Sequence, residues 1–188
     1  MSATAEKTRP ATYADVLSAP PEMVAELVDG ALHLQPRPVM RHARATGELF
    51  GELRDDFSKG GRDGWMFFVE PEIHLGDDVV VPDIAGWRVE NLPEDIDLPF
   101  MEIAPDWICE VLSPSTRSFD LTQKRDVYGR AGVPHLWFVD PSAKTLEAFE
   151  NRDGAWTLIA ALHDEAEVSV RPFDAASFAL SSLWLPVK

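Results

Sequence analysis

The sequence predicts a mixed α/β fold, with its elements in the order helix, three strands, helix, strand, and with additional β-hairpins. Three observations predict this class. Apolar residues recur at helical spacing from Val39 to about Phe57, β-rich runs follow between residues 65 and 112, and a second helical segment precedes the apolar run "HLWFVD". The 188 residues are 45% hydrophobic and 26% charged, as in one globular domain. We expect that domain over residues 12–188, after a disordered segment over residues 1–11.

The N-terminal part is predicted to hold a short helix, a hairpin and a long helix. The segment "TYADVLS" is the short helix, stopped by Pro20-Pro21. In "VAELVDGALHLQP", two apolar runs flank Asp29-Gly30, which is a strong hairpin signal. On the long helix, His42 shares the apolar face with Leu49 and Leu53. His42 is therefore either a core histidine with a backbone partner or part of a site.

The central and C-terminal parts are predicted to supply the sheet. "WMFFVEPEIHL" and "VVVPDIAGWRV", joined by the tight turn "GDD", read as two antiparallel strands, and "DWICEVL" as a third. A helix follows, with Ser113, Ser115 or Thr116 as N-cap, and runs to about Arg130. "HLWFVD" is the fourth strand, and "TLEAFENRDGAWTLIAAL" is a hairpin that turns at Asp153-Gly154.

The charge is strongly acidic but unevenly spread. Thirty-two acids against 17 bases give a formal net charge of −15, which argues against a general nucleic-acid-coating protein. The stretch from Glu90 to Asp106 contains acids and prolines but no Lys or Arg, and we interpret it as a mobile acidic loop. Basic residues cluster elsewhere, either as solvated helix faces or as functional surfaces: Arg37, Arg41, Arg44, and then Arg117, Lys124, Arg125, Arg130.

Several cellular and chemical classes are not expected from this sequence. No stretch approaches the roughly 20 apolar residues that span a membrane, and the first residues lack the apolar core of a signal peptide. The lone Cys109 fits packing in a strand and a reducing cytoplasm, where we expect the protein to act. Phosphate-loop, dinucleotide, nucleophile-elbow and C-x-x-C motifs are absent, and the histidines lack zinc-site spacing. Carboxylate chemistry is what remains.

Two carboxylates occupy positions that ordinarily suit apolar residues. Glu110 lies in a predicted buried strand between Ile108 and Leu112, although an ionised carboxylate is costly to bury without a partner. Asp83 follows Pro82 within another predicted strand, where both residue types are poor strand formers. Asp83 either caps a local turn at a strand end or serves a site.

A third anomaly lies on the helix that follows Glu110. Lys124 and Asp120 fall inside the apolar stripe of this helix, either as an i,i+4 pair at the stripe's edge or as site residues. One explanation covers all three anomalies: Asp83 and Glu110 hold a divalent cation, and Lys124 points toward the same place. Such an arrangement suits phosphodiester hydrolysis, because the cation lowers the pKa of a bound water and the lysine offsets developing charge.

At these residues the chain resembles the Uma-type restriction endonuclease family of the PD-(D/E)XK nuclease superfamily. The likeness covers roughly residues 12 to 150, and its specific part is E-V-L-S-P-S-T followed by D-x-x-x-K. It rests on "ELVDGALHLQP", "VPD" at 81–83, "EVLSPST" at 110–116, the spaced Asp120, Lys124 and Tyr128, and "GVPHLWFVDP" at 132–141. The resemblance implies a restriction-endonuclease-like central sheet flanked by helices.

The resemblance also implies roles for the site residues. Asp83 and Glu110 would bind Mg²⁺ or Mn²⁺, with the Val111 carbonyl as an extra ligand and Lys124 as the catalytic lysine. The superfamily's general pattern has that lysine two residues after the glutamate, where this chain has Leu112. Lys124 would then act from the helix, as in this family's own pattern.

Supporting residues in the predicted site are Asp120, His42 and Glu72. Glu72 would face the site only if the hairpin that follows it turned on Asp77-Asp78, which would place it opposite Asp83; with a three-residue turn it would have an exposed edge role instead.

The leading hypothesis is therefore a metal-dependent endonuclease that cleaves phosphodiester bonds, with DNA as its substrate and no membrane partner. Two alternatives stay open: a catalytically silent binding or scaffold protein of the same fold, and a hydrolase of small phosphate esters. Because two symmetric sites most simply cut both strands of a duplex, we expect a homodimer.

Overall fold

A six-stranded mixed sheet with strand order β10-β9-β8-β7-β6-β3 forms the centre of the fold. The structure is a computed structural model that describes residues 9–58, 64–94 and 97–186, so the predicted disorder of residues 1–11 falls largely outside the described chain. The strands of this sheet are β3 Trp65–Val69, β6 Ile84–Arg88, β7 Trp107–Val111, β8 His135–Asp140, β9 Thr145–Arg152 and β10 Ala155–His163. β7 and β8 are parallel and the other neighbours antiparallel, which confirms the predicted mixed α/β class.

A smaller sheet, with order β2-β1-β5-β4, lies against one face of the central sheet. Its strands are β1 Met23–Val28, β2 Ala31–Pro36, β4 Ile73–Leu75 and β5 Asp78–Val80, and the short helix α1 is Tyr13–Leu17. The predicted hairpin turn at Asp29-Gly30 is confirmed. Both residues adopt positive φ angles, 49° and 73°, as a tight hairpin turn requires.

The prediction of two long strands between residues 65 and 89 is wrong, because each is broken in the middle. Glu70 adopts a φ of 49°, and Pro71 and Pro82 cannot donate to a sheet ladder. The outer pieces, β3 and β6, pair in the central sheet, whereas the inner pieces, β4 and β5, pair in the smaller one. Asp83 therefore lies where the chain crosses between the two sheets.

Helix α2, Met40–Phe57, confirms the long predicted helix, and its apolar side packs on the other face of the central sheet. The C-terminal segment packs beside it, with β11 Glu167–Val168, β12 Phe178–Ala179 and a 3₁₀ turn Leu180–Leu183. The predicted hairpin at Asp153-Gly154 is also present, with positive φ angles of 53° and 84°.

The helix after β7 differs from a regular α-helix. It begins as α3, Arg117–Phe119, continues as a π-helical turn, Asp120–Lys124, and ends as α4, Arg125–Arg130. This helix packs with the smaller sheet against one face of the central sheet, while α2 covers the opposite face.

The alternation of β7 is as predicted. Trp107 and Cys109 belong to the core under α2, whereas Ile108 and Leu112 belong to the core under the smaller sheet. Glu110 shares the face of Ile108 and Leu112 and therefore points toward the smaller sheet.

The acidic segment before β7 is anchored in the part that the structure describes. Met101 is buried and its backbone pairs with residues 72 and 74, while Asp106 accepts hydrogen bonds from the Arg88 amide and from Asn91. Among the described helices, none has the length and apolar character needed to cross a membrane.

Candidate active site

A cavity of about 370 Å³ opens where β1, the β5–β6 crossing, the end of β7 and the π-helical turn meet. Its polar lining is dominated by carboxylates, with one lysine and one histidine: Glu26, Glu70, Asp83, Glu110, Asp120, Lys124 and His42. Sequence reasoning selected five of these residues, and the structure brings those five together from separate parts of the chain.

Glu110 is held in the cavity wall by two side chains from the following helix. Its Oε1 lies 2.8 Å from Lys124 Nζ and also accepts a hydrogen bond from the Tyr128 hydroxyl. Both partners are buried, Lys124 at 2% exposure and Tyr128 at 0%. The apolar strand β7 thus tolerates a carboxylate because charged and hydroxyl donors meet it from the opposite element.

Lys124 is not a surface lysine that extends along an apolar stripe toward water. Its ammonium contacts Glu110 Oε1 at 2.8 Å, Glu26 Oε1 at 2.9 Å and the Val81 carbonyl oxygen at 3.2 Å. An ammonium has three N–H donors, and these three acceptors account for all of them. The alternative of an exposed pair with Asp120 does not describe this geometry.

Asp83 links strand β7 to helix α2. Its Oδ2 accepts the Val111 amide hydrogen at 2.7 Å, and its Oδ1 lies 3.1 Å from His42 Nε2. Burial lowers the pKa of His42, but the hydrogen bond and charge of Asp83, together with the charges of Asp120 and Glu70, raise it, and the net shift is upward. His42 is thus a buried residue whose partner is a carboxylate of the cavity.

Asp120 and Lys124, at the two ends of the π-helical turn, both face inward. Asp120 is 3% exposed beside the cavity, and Lys124 is buried at its base. Asp120 Oδ2 accepts a hydrogen bond from the Thr116 hydroxyl at 2.6 Å. Single π-turns within α-helices frequently occur at functional sites.

The cavity holds more negative than positive charge. Burial raises the pKa of Glu110 well above its usual value, and nearby carboxylates add to the effect while Lys124 opposes it. Burial likewise raises the pKa of Asp120 to about 6. Burial would lower the pKa of Lys124, but Glu110 and Glu26 raise it well above its usual value, so the ammonium stays charged. The lining has five carboxyl groups against two permanently cationic side chains, the buried Lys124 and the exposed Arg37.

Glu72 does not belong to this cavity. Its carboxylate accepts a hydrogen bond from the Tyr13 hydroxyl at 2.7 Å and lies 2.8 Å from His74 Nε2. The register that would have placed it opposite Asp83 is absent, because β4 and β5 pair Leu75 with Asp78 and the hairpin therefore turns on Gly76-Asp77. Glu70, two residues earlier, lines the cavity instead.

Sequence reasoning missed Glu26. It stands between Val24 and Val28 on one face of β1, the same pattern of a carboxylate in an apolar strand that singled out Glu110. That signal was available, but nothing local indicated which residue would neutralise the charge.

The family comparison places the chain in a restriction-endonuclease-like class. The chain belongs to the Uma2 family, described as "Putative restriction endonuclease", whose model matches residues 10–181. A crystal structure of a "putative nuclease belonging to DUF820" from Anabaena variabilis is similar in fold, with a TM-score of 0.77 and 22% identity. The similarity covers 93% of this chain and 97% of that one. No curated protein sequence matches the chain.

Proposed function

We propose that this protein is an endonuclease that uses Mg²⁺ or Mn²⁺ to hydrolyse phosphodiester bonds in DNA. The observation that carries the proposal is the burial of Lys124 against Glu110, 2.8 Å apart, in a cavity that Asp83 also lines. A chain selected only for stability would gain from apolar residues at these positions, because a buried ion pair is often less stabilising than a packed apolar group.

The donor set fits a hard divalent cation. Asp83 and Glu110, with the neighbouring Asp120, offer the carboxylate oxygens that Mg²⁺ prefers, and the excess negative charge of the cavity favours a cation. Across residues 9–58, 64–94 and 97–186, no three His, Cys, Asp or Glu side chains form a preassembled metal cluster. The carboxylates instead contact side chains of the protein itself: Lys124 contacts Glu110, and His42 contacts Asp83.

Each residue has a chemical task in this proposal. A bound cation would lower the pKa of a water and polarise a phosphate oxygen. Asp83 and Glu110 would bind it, and the Val111 carbonyl would add a ligand. His42 orients Asp83 through Nε2, and Lys124 supplies a fixed positive charge beside the position of the phosphate.

The rim of the cavity favours a nucleic acid over a small phosphate ester. Arg37 lines the cavity mouth with 58% of its side chain exposed, and Arg41 lines an adjoining groove of about 470 Å³. The groove and the cavity share Val39, His42, Ser113 and Pro114. An extended backbone could place one phosphate at the carboxylates and neighbouring phosphates at these arginines.

The test is a nicking assay on supercoiled plasmid with Mg²⁺, with Mn²⁺ and with chelator. We expect cleavage only with metal, and a loss of about 10²-fold or more for Lys124→Met, the scale of one preorganised electrostatic group. Equal rates for wild type and Lys124→Met would contradict the catalytic assignment.

Two other outcomes would identify the alternatives. DNA binding without cleavage under any metal would indicate a silent binding protein. Hydrolysis of bis(p-nitrophenyl) phosphate with plasmid left intact would indicate a small-ester hydrolase.

A further inference from the structure

Glu26 is a buried carboxylate that no part of the proposed mechanism yet uses. It is 1% exposed on β1, in the smaller sheet, and faces Lys124 across the cavity. Its Oε1 lies 2.9 Å from Lys124 Nζ and accepts the Val81 amide hydrogen at 2.8 Å, while its Oε2 accepts from Gln35 Nε2 at 2.5 Å. Two neutral donors thus hold the Glu26 carboxylate, and its Oε1 also contacts the lysine.

Lys124 is shared between two carboxylates from different sheets. Glu110 approaches it from the central sheet at 2.8 Å and Glu26 from the smaller sheet at 2.9 Å. A divalent cation on Glu110 would repel the ammonium and weaken this first contact. A buried ammonium without an anionic partner is unfavourable by several kcal/mol, so Lys124 needs a second carboxylate to stay in place.

We propose that Glu26 is the positioning residue for Lys124: it retains the ammonium in the site when Glu110 engages a cation. This inference rests on the proposed function, because only a metal on Glu110 creates the competition. Glu26 acts through Lys124 and touches neither substrate nor cation. The hairpin that carries Glu26 therefore belongs to the active centre.

The first experiment is a double-mutant cycle on melting temperature without metal, using Glu26→Gln, Lys124→Met and the combined variant of the full chain. Gln keeps an acceptor for the Val81 amide, so the substitution removes mainly the charge. Glu26→Gln should lower Tm when Lys124 is present and raise it in the Lys124→Met background, where the buried Glu26 carboxylate has lost its cationic partner. We expect a coupling of about 4 °C or more, the scale for contacting residues in a domain of this size. Equal shifts in both backgrounds would overturn the inference.

The second experiment repeats the cycle on Mn²⁺ affinity by calorimetry. Glu26→Gln should weaken binding about tenfold or more when Lys124 is present, because the cation must then displace the ammonium from its last carboxylate. In the Lys124→Met background, Glu26→Gln should cause no further loss of Mn²⁺ affinity. The same loss in both backgrounds would make Glu26 a direct source of charge or a ligand, and would overturn the inference.

Glu70→Gln is the matched control for charge. Glu70 lines the same cavity, but the salt-bridge partner of its carboxylate is Arg37, at 3.4 Å. The loss for Glu26→Gln must exceed the loss for Glu70→Gln; an equal loss would show a generic charge effect and contradict the positioning role.

The remaining outcomes also decide the question. If the wild type binds no Mn²⁺, the proposed function fails and the metal-dependent role of Glu26 falls with it, while the melting cycle still decides whether Glu26 holds Lys124. If Glu26→Gln alone does not fold, folding restored by adding Lys124→Met supports the pairing. A combined variant that is also unfolded would show that Glu26 serves the hairpin and would overturn the inference.

Discussion

The imidazole of His42 donates toward Asp83, with Nε2 and Oδ1 3.1 Å apart, so the first turn of α2 is tied to the chain segment that crosses between the sheets. The Val111 amide holds the other carboxylate oxygen at 2.7 Å. Both carboxylate oxygens of Asp83 therefore have partners within the protein, and these partners fix the orientation of the side chain without a bound ligand. His42 belongs to the shell that sets the direction of a proposed metal ligand, and its removal should be felt in function more than in stability.

We expect His42→Gln to reduce metal-dependent cleavage by about 10- to 100-fold, the usual cost of losing a group that orients a metal ligand. Plasmid nicking rates under saturating Mg²⁺ would measure the effect, and thermal melting would confirm that the variant is folded. His163→Gln is the control, because the His163 side chain is 78% exposed and distant from the cavity lining. Unaltered nicking by His42→Gln would remove this histidine from the site.

The effect of divalent ions on stability should depend on Glu110. A ligand that binds only the folded state stabilises it, so Mg²⁺ or Mn²⁺ should raise the melting temperature of the wild type. Glu110→Gln preserves shape but removes the charge, and the metal-induced rise should disappear. Glu72→Gln should retain the full rise, since Glu72 is engaged with Tyr13 and His74 outside the cavity. A rise of the same size in Glu110→Gln would exclude Glu110 as a ligand.

Gly86 should tolerate no side chain, because two aromatic side chains of the neighbouring strand β3 lie close to its Cα. A Cβ at Gly86 would lie 2.9 Å from two ring carbons of Phe67 and 3.3 Å from Trp65, all within the core. Gly86→Ala should therefore reduce the free energy of unfolding by about 1–3 kcal/mol, the cost of overpacking. Urea denaturation would measure it.

Gly47 provides the matched comparison for Gly86. It is exposed in the middle of α2, and a Cβ there would meet nothing within 4 Å. Gly47→Ala should stabilise by about 0.5–1 kcal/mol, because alanine has the higher helix propensity. If Gly86→Ala were equally stabilising, the close packing of the Phe67 ring of β3 against Gly86 of β6 would be contradicted.

A homodimer is expected if the protein cuts both strands of a duplex, since two-fold symmetry places one site on each strand. Light scattering should then give about 42 kDa, twice the 20.9 kDa of one chain. A mass of one chain at working concentrations, together with double-strand cleavage, would contradict the symmetric arrangement.

Local turn chemistry made much of this fold predictable. Asp29-Gly30 and Asp153-Gly154 adopt the positive φ angles that such pairs favour, so both hairpins follow from short stretches of sequence. The strands around Glu70 and Val81 could not be assigned in the same way. Each apolar run continues past its proline, and only the pairing of β3 with β6 and of β4 with β5 divides the run between two sheets.

The sequence predicted those site residues that are charged within an otherwise apolar pattern. Glu110 and Lys124 stood out as charges in apolar patterns, and the structure places them in contact. Glu26 carried the same signal, but its partner lies across the fold, so the sequence around β1 gave no indication of which charge it would meet. The π-helical turn was not predicted, because Asp120 and Lys124 are four residues apart and would share a face in a regular α-helix as well.

The crossing of the chain between the two sheets makes the Glu26–Lys124 contact depend on docking of the smaller sheet. Glu26 and Lys124 are separated by nearly a hundred residues, and each belongs to a layer that can pair its backbone before the layers dock. Contacts of such long range form slowly, since the loop must close before the contact is gained. A chain in which the layers have not docked is therefore expected to lack the assembled carboxylate–lysine cavity, and with it any activity that depends on this cavity.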